Sequence, residues 1–159
     1  MPCCLFTWHT YGSWLPDRTR GYVHWSRGRE LTNIALAKRY RQQQKETTAS
    51  LTEELQREAI ADLVEAAPLV GFRLHFVATD VTHVHVLVSW RDGRGWERLR
   101  RSIRRSLSVR LNRQRRRKWF SRGGNTRRVE SQKHFDHLVE RYLSSHHGWK
   151  WCERRGLFR

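Results

Sequence analysis

Acidic residues are scarce in this chain. Fifteen Asp and Glu stand against thirty-two Lys and Arg, a formal net charge of +17 over 159 residues. A chain so unbalanced is a poor candidate for acting on cationic substrates and a good one for a polyanion. Cysteine is scarce too: Cys3, Cys4 and Cys152 are an odd set, and neighbours such as Cys3 and Cys4 rarely bridge each other, so reduced thiols are expected. Paired CxxC spacing is absent, which argues against a zinc site built on them. No apolar run approaches the length of a membrane-spanning helix, and no Lys-rich amphipathic anchor is evident, so a membrane is not the expected partner. The opening "MPCCLFTW" has neither a charged n-region nor a long apolar h-region, and a cytoplasmic protein is expected.

What is present suits one domain spanning residues 1–159, long enough for a single core with two layers. Most of the basic residues are arginines, whose planar guanidinium makes bidentate phosphate contacts, so nucleic acid is the favoured polyanion. "CLFTWHTYGSWLP" reads as an opening strand at about residues 4 to 10, stopped by Gly12 and Pro16. About thirty polar, irregular residues follow. At "SLTEE", Ser50 and Glu53 have capping-box spacing, and Leu51, Leu55, Ala59, Leu63 and Ala67 supply the apolar stripe of a helix ended by Pro68 and Gly71. "FRLHFVAT" places Phe72, Leu74, Phe76 and Ala78 on one face of a strand that forms an antiparallel hairpin with "HVHVLVS". Trp96, Leu99, Ile103, Leu107 and Leu111 then mark an amphipathic helix whose other face is nearly all arginine, with Glu97 its one acidic offset. A Gly-Gly loop, a short strand around Arg128 to Glu130 and a final helix from near Lys133 complete the order. This is the ferredoxin-like split βαβ pattern with an added C-terminal helix: an α+β fold with a mainly antiparallel sheet, helices on one face and the other left open.

The histidine strand "THVHVLV" carries the chemistry. Alternation sends Val84, Val86 and Val88 to one face and His83, His85 and Leu87 to the other, with the two imidazoles close enough to reach one ion. In the last helix, Phe135, Leu138, Tyr142 and His146 recur at three, four and four residues, which puts Tyr142 and His146 one turn apart on the same face. A tyrosine packed beside Phe135 and Leu138 is the plain alternative. On the arginine face, Arg98, Arg101, Arg105 and the cluster Arg115, Arg116 and Arg117 are expected to contact phosphates, with Arg127 and Arg128 guiding a strand from the Gly-Gly loop.

At this point the sequence resembles the HUH single-tyrosine transposases, which comprise the insertion-sequence 200/605 group and the REP-associated tyrosine transposases. "THVHVLV" is similar to their histidine, hydrophobic, histidine strand, and "YLSSH" to the helix bearing their nucleophilic tyrosine with a ligand four residues on. "TWHTYGSWLPDRTRG" and "WFSRGGNTRR" are similar to segments of many members. One departure is His146, where that family usually has Gln or Asn; another is the segment from about Glu30 to Thr47, which matches nothing in it. The resemblance implies cleavage and rejoining of single-stranded DNA with hairpin or palindromic elements. Tyr142 would form a 5′-phosphotyrosine link, and His83, His85 and His146 would hold a divalent Mg²⁺ or Mn²⁺. It implies no nucleotide cofactor, and no phosphate-cradling P-loop sequence occurs. It also implies a prokaryotic, nucleoid-associated protein and leaves open a homodimer or a protein acting alone. Two alternatives stand beside it. One is a non-catalytic DNA or RNA hairpin-binding module using the arginines and the eight tryptophans. The other is a metal-dependent hydrolytic nuclease that needs no Tyr142.

Overall fold

The computed structural model describes residues 1–24 and 26–159. Its frame is a six-stranded sheet in which every neighbouring pair is antiparallel. Strand β1 (Cys3–His9) leads through a two-stranded hairpin, β2 (Tyr22–His24) and β3 (Gly28–Glu30), to helix α1 (Ile34–Gln43). Then come α2 (Glu53–Val70), the hairpin β4 (Arg73–Asp80) and β5 (His83–Ser89), α3 (Trp96–Asn112) and β6 (Asn125–Arg128). The chain closes with α4 (Gln132–His137), a π-helical turn (Leu138–Tyr142) and a last hairpin, β7 (Lys150–Cys152) and β8 (Gly156–Phe158). The sheet order is β6-β1-β5-β4-β7-β8. Its first four members are the split βαβ arrangement, and the final hairpin extends the β4 edge beyond the expected pattern. Among the described residues, no helix is long and apolar enough to cross a membrane.

Both faces of the sheet carry a core. Val84, Val86 and Val88 pack with Phe6 and Trp8 against Leu63 of α2 and Leu99, Ile103, Leu107 and Leu111 of α3. The opposite face is not open throughout: Leu5, Phe76, Ala78 and Leu87 meet Leu138 and Leu143 from the C-terminal helix. The three cysteines are free, with Cys4 in the first core and Cys3 and Cys152 beside the second.

Several local expectations are corrected. Helix α2 is capped by Thr52, whose side chain accepts from the Leu55 amide at 3.3 Å, so Ser50 is not the cap. Pro68 lies inside the helix, and Gly71, at φ 78°, closes it in the left-handed conformation that suits glycine. Phe72, Leu74, Phe76 and Ala78 do not share a face, because the β4–β5 register shifts between Leu74 and Phe76. The extra residue turns Phe76 and Ala78 to the second core while Leu74 and Val77 face the helices. The polar stretch after β1 forms the β2–β3 hairpin and α1, in which Ala37 is the one buried residue. The sixth strand is Asn125–Arg128, beginning three residues earlier than expected.

Candidate metal and tyrosine site

The site is built on the sheet face away from α2 and α3. His83 and His85 stand two residues apart on β5, with ring centroids 4.8 Å apart. Their neighbours follow from the register. Thr7 and Ala78 flank His85 on the two adjacent strands, and His9 and Asp80 flank His83. The third imidazole arrives from the chain end. His146 lies 4.6 Å from His85 and 5.4 Å from His83 between ring centroids. One nitrogen from each of the three lies within 4.8 Å of the others. Ligands bound to a common ion at about 2.0–2.2 Å stand about 3–3.5 Å apart, so small side-chain rotations would gather this set around one cation.

Hydrogen bonds fix the rings so that they can serve as ligands. His146 Nδ1 lies 3.0 Å from the Tyr142 carbonyl and 3.3 Å from that of Leu143. Carbonyls only accept, so this nitrogen carries the proton and Nε2 keeps its lone pair. His85 Nδ1 is 2.7 Å from the Thr7 hydroxyl, and His83 Nδ1 is 3.1 Å from that of Thr82. All three Nδ1 atoms are engaged, and where the two threonine hydroxyls accept from Nδ1, as the carbonyls do at His146, Nε2 of each ring keeps the lone pair that a metal ligand needs.

Burial keeps the cluster neutral. It pushes His85 down to about 2, aided by the neighbouring His83 and His146. His83 is lowered by burial and by His146, with Asp80 pulling the other way. His146 is lowered by burial against the opposing pull of its two carbonyl partners. Neutral imidazoles are the form that binds metal, and nitrogen donors suit Mn²⁺ or Zn²⁺ better than Mg²⁺.

Tyr142 is 40% exposed, and its ring lies 5.5 Å from that of His85 and 5.3 Å from that of His146. The regular helix expected to carry both residues is not formed. After α4 the chain widens into the π-turn, closed by the Leu143 amide donating to the Leu138 carbonyl at 2.8 Å. Leu138 and Leu143, five residues apart, are both fully buried, and the wide turn lets both reach the sheet while Tyr142 is left at the surface. His146 lies beyond the helix, in an irregular turn, and meets Tyr142 there. His147 is exposed.

The arginines are divided between the two sides. Helix α3 packs on the face opposite the histidines, with Arg98, Arg101 and Arg105 exposed on its outer surface. Arg100 and Arg104 turn inward to donate to the carbonyls of Gly123 and Phe120, at 2.8 and 3.0 Å, and so fasten the loop after α3. Arg110 is ion-paired with Glu58 and Glu65 of α2, so the arginine face is partly compensated by acids from another element. Arg115 and Arg116 are exposed, whereas Arg117 is half-buried and donates to the Thr47 carbonyl. Arg127 stands opposite Leu5 and shares the histidine face; Arg128 stands opposite Cys4 and faces the other way.

Sequence reasoning missed a second ring of side chains. His9 stacks on Trp14 at 4.1 Å and stands 5.9 Å from His83, and Arg18 lies 3.9 Å over the Trp14 ring. Burial, His83 and Arg18 push His9 down to about 4. The period of two along β1 puts Thr7 and His9 on one face, but their relation to the histidine strand depends on the register, which is a tertiary fact.

No protein-family model matches the chain, and no curated protein is significantly similar to it in sequence. The fold does have a counterpart. The solved structure of a REP-associated tyrosine transposase bound to a REP hairpin superposes with a TM-score of 0.51 at 12% identity, over 89% of this chain and 64% of that one. The likeness is one of fold, and this chain spans less than two thirds of that protein's length.

Proposed function

We propose that the protein is a metal-dependent, transposase-like enzyme that cleaves and rejoins single-stranded DNA through Tyr142. The observation that carries this reading is the tyrosine ring set against two members of a three-histidine cluster, on a fold similar to that of a tyrosine transposase. The Tyr142 oxygen attacks a backbone phosphorus, and the bond from phosphorus to the 3′-side oxygen breaks. The leaving oxygen takes up a proton as a 3′-hydroxyl, and the 5′ end stays on the protein as a phosphotyrosine. Attack by a 3′-hydroxyl on that ester reverses the step and releases Tyr142, so rejoining needs no nucleotide. A free phenol, with a pKa of about 10, is a weak nucleophile at neutral pH. A divalent cation on His83, His85 and His146 would favour the phenolate and polarise the phosphate. The chain's own part is to present three neutral imidazoles with fixed rings and to bring the tyrosine to them on a packed turn.

The substrate assigned is single-stranded DNA containing a hairpin, held by exposed arginines at its phosphates. Arg127, on the strand position opposite Leu5, would contact DNA on the histidine face, and Arg98, Arg101 and Arg105 would hold DNA that continues around the β6 edge onto α3. A denaturing gel of the protein with Mn²⁺ and end-labelled hairpin DNA tests the reading. A covalent, protein-sized shift of the label supports it. Cleavage without a shift would instead mean a hydrolytic nuclease, and binding without cleavage a hairpin-binding module.

A further inference from the structure

Lysine is among the residues least often buried without a partner. Lys150, the first residue of β7, is only 6% exposed. Its ammonium donates to the carbonyl of His146 at 2.7 Å and to that of Gly148 at 3.3 Å, with the Phe158 ring 5.8 Å away. The register aims it at the candidate site: Lys150 stands opposite Ala78, and Ala78 opposite His85, so the three form one row across the histidine face. The small alanine separates the ammonium from the imidazole.

The chain between Tyr142 and Lys150 has no strand or helix to hold it, so its position depends on individual bonds. At the far end the Thr79 amide and hydroxyl donate to the Trp149 carbonyl at 3.0 and 2.6 Å, and the Trp149 amide donates to Gln56 Oε1 at 3.0 Å. Gly148 presses on β4 so closely that a Cβ there would lie 2.1 Å from the Thr79 carbonyl oxygen. At the near end the His146 ring is tied to the end of the π-turn. Between these anchors, the backbone of His146 is tied to the Lys150 ammonium.

A buried cation is costly to desolvate, and an apolar side chain of similar shape would pack there at lower cost. Nor does electrostatics recommend it beside a metal site, since an ammonium repels a second cation. Its value lies in what it holds. We propose that Lys150 is a positioning residue for the candidate metal site: its buried ammonium, bound to the carbonyl of His146, keeps that imidazole within reach of His83 and His85 and thereby sets the affinity of the three for a divalent cation. This rests on the reading of the histidines as a metal site.

The sign of the effect separates this role from a simple charge. Removing a nearby positive charge alone would tighten cation binding, whereas releasing His146 weakens it. The test is titration of the full chain with Co²⁺, followed by its visible absorption, for the unaltered protein, Lys150→Met, Lys150→Gln and Lys150→Arg. Thermal unfolding of each variant identifies those that fold. The expected result is a ten- to hundredfold weaker Co²⁺ affinity in Lys150→Met or Lys150→Gln, with a changed absorption spectrum, as for other lost supports of metal ligands. Lys150→Arg should recover much of the loss. In a His146→Ala background, Lys150→Met should weaken the affinity no further. Affinity that is unchanged or tighter in the folded variants, or a loss that persists in full without His146, overturns the inference and leaves the metal reading intact. Co²⁺ uptake that is the same in His85→Ala as in the unaltered chain overturns the metal reading itself, and the role of Lys150 with it.

Discussion

The two faces of the sheet are built on opposite plans. On the histidine face, His83, His85, His146 and Tyr142 lie within a few ångströms of one another, each imidazole has its Nδ1 engaged, and burial keeps the rings neutral. On the far side, the outer surface of α3 offers Arg98, Arg101 and Arg105 to solvent on long flexible stems. Chemistry needs position within fractions of an ångström, and a packed, hydrogen-bonded cluster supplies it. Attraction to a phosphate backbone needs charge within a Debye length, about 8–10 Å, and tolerates loose geometry. The comparison teaches that the two functions can be damaged separately.

The largest effect should come at Tyr142. Tyr142→Phe is expected to abolish the covalent adduct while leaving affinity for hairpin DNA within about twofold, since one phenolic oxygen is all that is removed. Adduct formation measured on a denaturing gel and affinity by fluorescence anisotropy check both halves. An adduct that survives would move the nucleophile elsewhere.

Next comes the third ligand. His146→Ala should raise the Mn²⁺ concentration for half-maximal cleavage by ten- to hundredfold, whereas the exposed His147 changed to Ala should barely move it. His146→Gln keeps a metal-binding atom at nearly the same reach and should retain substantial activity. A larger defect at His147 than at His146 would mean that the active arrangement differs from the cluster described.

The charged side should respond in proportion. Replacing Arg98, Arg101 and Arg105 together with Ala is expected to lower the slope of log affinity against log salt by about three units or somewhat less, and Arg127→Ala by about one, alike for all sequences. Cleavage of DNA already bound should hardly change. A slope unaltered by the triple substitution would reduce this side to a solvated surface and break the comparison.

The smallest effect concerns acid. The buried histidines have pKa values below that of free imidazole, His85 at about 2 and His9 at about 4, so the unfolded chain binds protons that the folded chain refuses. Stability should therefore be full above about pH 6.5 and fall as pH drops below it, by at most about 1.4 kcal/mol per pH unit for each such group. Thermal unfolding of the metal-free protein between pH 7 and 4.5 measures this. A melting temperature that rises on acidification would show that the cluster takes up protons in the folded state.

Much of this architecture was legible from residue periods. The valines of β5 and the leucines of α3 repeat at two and at three to four residues, and both pack where those repeats put them. The site was harder to read. His83 and His85 announce themselves, but the expected face shared by Tyr142 and His146 relied on an unbroken helix. The π-turn breaks that period, and the burial of Leu138 and Leu143 that favours it is a property of the sheet beneath. Thr7, His9 and Lys150 enter through cross-strand register, which no local pattern encodes. The final hairpin is not legible in the sequence, because three-residue strands carry almost no alternation.

The register shift in β4 reaches further than one irregular strand. With His75 added, its ring is free to meet Phe135 of the tyrosine-bearing helix at 5.2 Å, while Ala78 and Asp80 come to lie beside His85 and His83. Were β4 straight at its present length from the Leu74–Val88 pair onward, Val77 and Thr79 would take those places: a branched side chain would crowd His85, and the carboxylate would be lost beside His83. In the language of insertions and deletions, this is a single-residue event that no single substitution can undo. Two chains with the same "THVHVLV" and "YLSSH" could thus differ in kind at this site through the register of a neighbouring strand. Matching the motifs alone would not tell them apart.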